Sequence, residues 1–301
     1  MTAEANGDVT VAERLQLLRD ELTPAERRVV RALMADYPVA GLGPVAKLAA
    51  AAGVSAPTVV RLVTKLSFEG YADFQQSLKS EVSARLSSPL EMHALRLGSA
   101  GDDVLGRTEQ VMCDAIRSSF ATLPAAEFDH AVRLLCEPRR PVTLIGGRFS
   151  TTLAEYLGGH LEMLRPSVRI VSAASADRTN AMLDLTKRDV VAVFDYRRYQ
   201  HDTIRLAGIA KQQGATVIAF TDPYLSPIAA QADVILTSSL RSPSAFGAMT
   251  PSLALVEAVI AAAIVRLGES ARARMARYDR LHAGTVDGTE ATRWALPQPS
   301  P

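Results

Sequence analysis

Cysteine is nearly absent from this sequence. The 301 residues hold two, Cys113 and Cys136, and they form no CxxC pair. That excludes a disulfide framework and argues against a structural zinc site. Two free thiols, buried in a reducing compartment, are expected instead. Aromatic residues make up only 5% of the chain and alanine is frequent, a balance that favours helices and close packing. The five histidines are scattered, and none has an evident acid partner for proton transfer. His160 therefore reads as a packed or surface histidine. No metal, no cofactor and no catalytic residue is expected.

Strong charge of one sign is missing too. The formal net charge is +1, which neither suggests nor excludes nucleic acid, because one small basic face can hide in a neutral total. The chain opens without a basic segment followed by an apolar one, so no signal peptide is expected. Its most apolar stretch, Leu253 to Val265, contains Glu257 and reads as too short to span a bilayer. These features predict a soluble, cytoplasmic protein that does not engage a membrane. Length suggests two domains.

The pattern from Val11 to Leu86 is helical throughout. Thr23, Pro24 and Glu26 fit an N-cap, a proline at the first helical position and a capping box. That helix is expected to run to about Tyr37, where Pro38 stops it. Residues 87–127 read as a linker and connecting helices, with helical segments at about 103–122 and 125–136. Short β-rich runs then recur at Val168–Val171, Val190–Phe194, Thr216–Phe220 and Asp233–Leu236, after a first strand that runs into Gly146-Gly147. Helical segments separate them, which predicts an α/β domain over 128–270 with a mostly parallel five-stranded sheet flanked by helices. Residues 271–301 read as a C-terminal tail, loose from Gly284 onward.

The segment Lys47 to Leu66 carries the most information. A short helix ends at Gly53, which can adopt the positive φ of a sharp turn. Ser55 is placed to cap the next helix, and Pro57 is tolerated in its first turn. On that helix Val59, Leu62, Val63 and Leu66 follow the i, i+3, i+4, i+7 rule and form one apolar face. Thr58, Arg61 and Lys65 lie on the opposite side. An anchored back and a front of hydroxyls and cations suit a recognition helix in a DNA groove. An ordinary helical hairpin with a solvated polar face has the same pattern.

Here the chain resembles a known family. Leu22-Thr-Pro-Ala-Glu-Arg, the Lys47–Leu66 segment and Leu66-Ser-Phe-Glu-Gly-Tyr-Ala-Asp-Phe74 are similar to the N-terminal domain of MurR/RpiR-type regulators. That family carries a C-terminal sugar isomerase (SIS) domain. The resemblance implies a helix-turn-helix domain over 11–86 whose Lys47, Ser55, Thr58, Arg61 and Lys65 face a double-stranded DNA operator. It also implies a homodimer or homotetramer and a small anionic effector such as a phosphosugar; a carboxylate fits Arg148, Arg197 and Arg198 equally well.

Two loops at strand ends are candidates for that effector. The first is Gly146 to Thr151, where Gly147, Arg148, Ser150 and Thr151 could meet an anion at a helix N-terminus. A dinucleotide fingerprint is not supported: the third glycine is missing and no acid ends the following strand. The second loop, Phe194 to Thr203, offers Arg197, Arg198 and Thr203. The arginines could clamp an anion or be satisfied by Asp195, Asp202 or a partner subunit. SIS domains that bind phosphosugars usually show a Ser-x-Ser-Gly-x-Thr-like loop here, whereas this chain has Asp195-Tyr-Arg-Arg-Tyr199. The alternative function is a sugar-phosphate isomerase-like enzyme with a helical extension, for which Glu257 would be a candidate carboxylate. Glu257 could equally be a buried ion-paired or interface acid.

Overall fold

The computed structural model describes residues 10–86, 90, 103–171 and 175–283. The expected loose ends, and residues 87–89 and 91–102 of the expected connection between domains, lie outside the described residues.

Five helices form the N-terminal unit: α1 (Val11–Leu17), α2 (Pro24–Met34), α3 (Val45–Ala52), α4 (Ala56–Lys65) and α5 (Tyr71–Leu86). The capping box is formed. Thr23 Oγ1 accepts from the Glu26 N–H at 3.3 Å and Glu26 accepts from the Thr23 N–H at 2.8 Å. The α2 helix stops at Met34, short of Tyr37, and turns carry the chain on to Pro38. Val29 and Leu33 of α2, Leu48 of α3, Val59, Leu62 and Val63 of α4, and Phe74 and Leu78 of α5 close one core. The apolar face predicted for α4 is thus the face that anchors it.

The C-terminal unit holds a sheet of β1 (Val142–Gly146), β2 (Val168–Val171), β3 (Val190–Phe194), β4 (Thr216–Thr221) and β5 (Val234–Thr237). Their order is β2-β1-β3-β4-β5 and every pairing is parallel. All five positions of β1 and of β3 are buried. That double burial explains why β3 reads Val-Val-Ala-Val-Phe, with no polar position. The pleat still divides them. Val190, Ala192 and Phe194 share a core with α7 (Ala125–Cys136), α8 (Thr151–Leu164) and α11 (Thr250–Leu267). Val191 and Val193 face α9 (Ser175–Leu183) and α10 (His201–Gln212) on the other side.

Three expectations need correction. Residues 271–283 belong to a helix, α12 (Glu269–Ala283), not to a tail. Ala271 is fully buried and Met275 packs on the main core, so burial holds this segment against the domain; the looseness expected from Gly284 onward falls outside the described residues. Residues 104–122 form α6, which packs along α11 with Ala115 fully buried, and so are part of the domain more than a connection to it. The α11 helix also begins before Leu253. Its 18 residues have a mean hydropathy of 1.7 and would reach across a membrane by length and composition. Here its Val256, Val259 and Ala263 stripe is buried in the domain core.

Candidate functional site

Helices α3 and α4 meet at 102°, within the range of DNA-binding helix pairs. Gly53 makes the corner with φ 62° and ψ 41°, a left-handed conformation that costs other residues about 1–2 kcal/mol. Ser55 sits at the N-cap of α4 but its hydroxyl makes no capping bond. It lies 3.0 Å from Thr58 Oγ1, and the Arg61 guanidinium donates to the same Thr58 oxygen at 3.4 Å. The two hydroxyls turn outward to each other, away from the helix amides. Ser55, Thr58 and Arg61 therefore form one row on the outer side of α4, with Lys47 exposed on α3. Lys65 does not join this row. Its ammonium donates to the Glu21 carbonyl at 2.5 Å and lies 3.6 Å from Glu26, so it braces α4 against the start of α2.

In the sheet, β1 is flanked by β2 on one side and β3 on the other. The chain reverses direction of winding there, and open parallel sheets bind ligands outside the carboxyl ends of strands at such a point. The two candidate loops meet at this place. The Ser150 hydroxyl donates to the Phe194 carbonyl at 2.7 Å and accepts from the Gly147 N–H at 2.9 Å. Gln200 approaches Gly147 so closely that an added Cβ would lie 3.3 Å from its Cδ. Gly146 has no room at all: a Cβ would fall 2.3 Å from Thr151 Cα, so the start of α8 rests directly on the end of β1.

The sequence-predicted ligands are distributed unevenly over this crevice. Ser150 is buried and its hydroxyl is committed to joining the two loops. Thr151 lies at the start of α8, 3.5 Å from Glu155 through its hydroxyl. Thr203 is fully buried, and its Oγ1 has no hydrogen-bond partner among the described residues. Arg148 is exposed, with its guanidinium 5.1 Å from the Phe149 ring centroid. Arg198 is exposed as well. Arg197 turns away toward α5, where it donates to the Ala84 carbonyl at 2.8 Å. Neither Asp195 nor Asp202 takes it. Asp202 pairs with Arg178 at 2.8 Å and Arg205 at 3.1 Å.

The acids beneath the crevice are buried. Asp195 accepts from the Gln200 N–H at 3.1 Å and from the Ser226 hydroxyl. Burial pushes its carboxyl up to about 7 against these hydrogen bonds. Asp222 is fully buried and raised for the same reason, although it accepts from the Arg197 and Tyr224 N–H groups and from the Tyr199 hydroxyl. Glu257 is exposed and accepts from Tyr156, and the His160 ring packs 4.5 Å from the Tyr156 ring. These side chains lie on α8 and α11.

Residues 9–85 match the family described as helix-turn-helix domain, rpiR family, and residues 134–265 match the SIS domain. The chain belongs to the rpiR family. Among curated relatives it is 24% identical over 238 residues to the HTH-type transcriptional regulator RpiR of Escherichia coli, covering 79% of this chain and 78% of that one. It is 28% identical over 228 residues to the bifunctional protein glk of Burkholderia mallei, covering 75% of this chain but only 34% of that protein. The chain thus spans about a third of the length of those longer relatives. Among solved structures, the sugar isomerase domain of an RpiR transcription factor from Sphaerobacter thermophilus aligns with TM-score 0.56 and 22% identity, over 60% of this chain and 99% of that one. The NanR protein of Vibrio vulnificus complexed with ManNAc-6P aligns with TM-score 0.53 and 15% identity, over 91% and 98%. Both likenesses concern the fold.

Within this rpiR-family frame, sequence reasoning missed Arg178. Its side chain is 5% exposed, and it bridges the Gly146 carbonyl to Asp202 across the mouth of β1 and β3. Its Nε has no partner among the described residues. No signal in the sequence pointed to it, because the contact joins α9 to a glycine 32 positions away. Tyr37, Glu81 and Arg85 were missed for the same reason. Glu81 accepts from the Val11 N–H at 2.7 Å and from the Tyr37 hydroxyl, and burial lifts its carboxyl to about 7.

Proposed function

We propose that the protein is a DNA-binding transcriptional regulator whose SIS domain senses a small anionic metabolite. The outward row Ser55–Thr58–Arg61, on a helix anchored by Val59, Leu62 and Val63, is the observation that carries this. It offers hydroxyls and a guanidinium to base edges and phosphates while the helix back stays fixed. Lys47 adds a cation beside that row. The effector would lie between the 146–151 and 195–203 loops, which Ser150 joins through Gly147 and Phe194 and beside which Arg148 and Arg198 are exposed. A sugar phosphate is the first ligand class to test, since the NanR structure was obtained with ManNAc-6P. A homodimer or homotetramer suits paired half-sites, and the cytoplasm is where such a protein would work. Assay with sugar phosphates separates this protein from an isomerase-like enzyme.

The test is a footprint of the full chain on DNA upstream of its own gene, repeated with Arg61→Ala. A base-reading arginine contributes about 1–3 kcal/mol. The variant is expected to keep its circular dichroism spectrum and lose operator affinity more than affinity for random DNA. Equal affinity for both DNAs before and after the substitution removes α4 from the reading role. Effector binding is scored by thermal shift: at 100 times the dissociation constant a ligand stabilises by about 2.7 kcal/mol. Arg148→Ala should reduce the shift given by ManNAc-6-phosphate.

A further inference from the structure

The loop that borders the effector crevice is also one of the places where the DNA-binding unit rests, beside the contacts that Glu13 and Arg19 make with Thr122 and Glu127. Two arginines cross this seam in opposite directions. Arg85, in the last turn of α5, donates through Nε to the Tyr224 carbonyl at 2.7 Å and through Nη2 to the Leu225 carbonyl at 2.5 Å. Its Nη1 donates to the Tyr37 carbonyl at 3.0 Å within its own unit. In return, Arg197 of the second loop donates to the Ala84 carbonyl at 2.8 Å. That carbonyl lies in the last turn of α5, where unpaired carbonyls carry the negative end of the helix dipole and favour a cation. The Thr10 hydroxyl adds a bond to the Pro223 carbonyl at 3.0 Å.

Asp222 makes the two receiving loops one body. Its carboxylate accepts from the Arg197 N–H at 2.8 Å, the Tyr224 N–H at 2.9 Å and the Tyr199 hydroxyl at 3.0 Å. Tyr199 and Tyr37 flank the Arg85 guanidinium, at 5.8 and 5.5 Å from their ring centroids. Arg197 in turn lies 5.3 Å from the Tyr224 ring. The loop at 195–203 therefore has two occupants available for one guanidinium: the end of α5, or an anion above the crevice.

We propose that Arg197 is an exchangeable latch, which holds the end of α5 when the crevice is empty and releases it to an anion bound between the two loops. A doubly charged phosphate accepts a bidentate guanidinium bond far more strongly than a single neutral carbonyl does. The effector then acts on DNA binding by freeing the DNA-binding unit from this seam. This inference rests on the sensing function proposed above. By linkage, anything that weakens the docked state favours the anion, and the reverse holds equally.

Hydrogen exchange on the ligand-free full chain tests the latch without an effector. Arg197→Ala is expected to raise exchange about tenfold in the last turn of α5 and in residues 222–226, as loss of a charge-assisted bond implies. Arg197→Lys, which can still donate to Ala84, should restore most of the protection. Exchange in β1 and β3 should be unchanged in both, which separates undocking from unfolding. Inorganic phosphate, titrated at constant ionic strength, should raise exchange at the same two segments in the native chain and have no further effect on Arg197→Ala. Arg85→Ala, with docking weakened from the other side, should bind phosphate more tightly than the native chain. Unchanged exchange in Arg197→Ala, or a phosphate response that survives in that variant, overturns the latch. Either result leaves the DNA footprint untouched, and a failed footprint would leave the exchange pattern standing.

Discussion

Replacing Gly146 by alanine should separate the two ends of the effector crevice. The new methyl would lie 2.3 Å from Thr151 Cα, 2.4 Å from its nitrogen and 2.7 Å from the Ser150 carbonyl carbon. These are backbone atoms at the start of a helix, so no side-chain rotation relieves them. The α8 N-terminus must retreat by roughly an ångström to regain normal carbon contacts. Overpacking of this kind costs about 1–3 kcal/mol. The retreat also breaks the Ser150 link to Phe194 and Gly147, which adds about 1 kcal/mol per bond. A total of about 3–5 kcal/mol follows. For a unit of this size each kcal/mol lowers the melting temperature by about 2–4 °C, so a fall of roughly 6–20 °C is expected in the C-terminal unit. Gly159, on the same helix, is the control, because a Cβ there meets nothing within 4 Å. Gly159→Ala should stabilise by about 0.5–1 kcal/mol through helix propensity. Calorimetry on both variants decides the matter. A Gly146→Ala protein that melts with the native chain would refute the close approach of α8 to β1.

Other substitutions have equally definite outcomes. Asp195 is raised to about 7 in the fold by burial, above an unfolded value near 3.9, so the folded state binds its proton more tightly. Its contribution to stability is complete below about pH 4 and is lost as pH rises through about 7. Asp195→Asn, which can still pair with Gln200 and Ser226, should flatten the decline of the urea midpoint over that window, and an unaltered slope would place the titrating group elsewhere. Gly53→Ala meets no neighbour within 4 Å, so its cost is torsional, about 1–2 kcal/mol; the expected readout is lower stability of the N-terminal unit together with weaker operator binding. Lys65→Ala should lower stability modestly and leave the salt dependence of DNA binding alone, while Arg61→Ala should change DNA binding and leave stability alone. Deleting residues 271–301 should destabilise the C-terminal unit by removing the buried Ala271 and the Met275 that packs on the main core.

Much of the molecule was legible because its signals are local. The capping box at Thr23, the glycine corner at Gly53 and the apolar stripe of α4 each depend on residues within two turns of one another, where backbone torsion and side-chain spacing leave few choices. The β-rich runs announced a parallel sheet because helical segments separate them, and a chain that returns to lie parallel beside its last strand needs such a crossover. Strand order was beyond reach, since β2 and β3 are equally compatible with lying beside β1 until the helices are packed on both faces. Tertiary structure alone decided the fate of the charged residues. Arg197 and Arg198 are adjacent and chemically alike, yet one is drawn to the Ala84 carbonyl 113 positions away and the other stays exposed. Lys65 was placed on the outer face by helical spacing, but a four-carbon stem is long enough to reach back to Glu21 and Glu26. Long polar side chains choose among acceptors brought together by the whole fold, and no local pattern records which acceptors those will be.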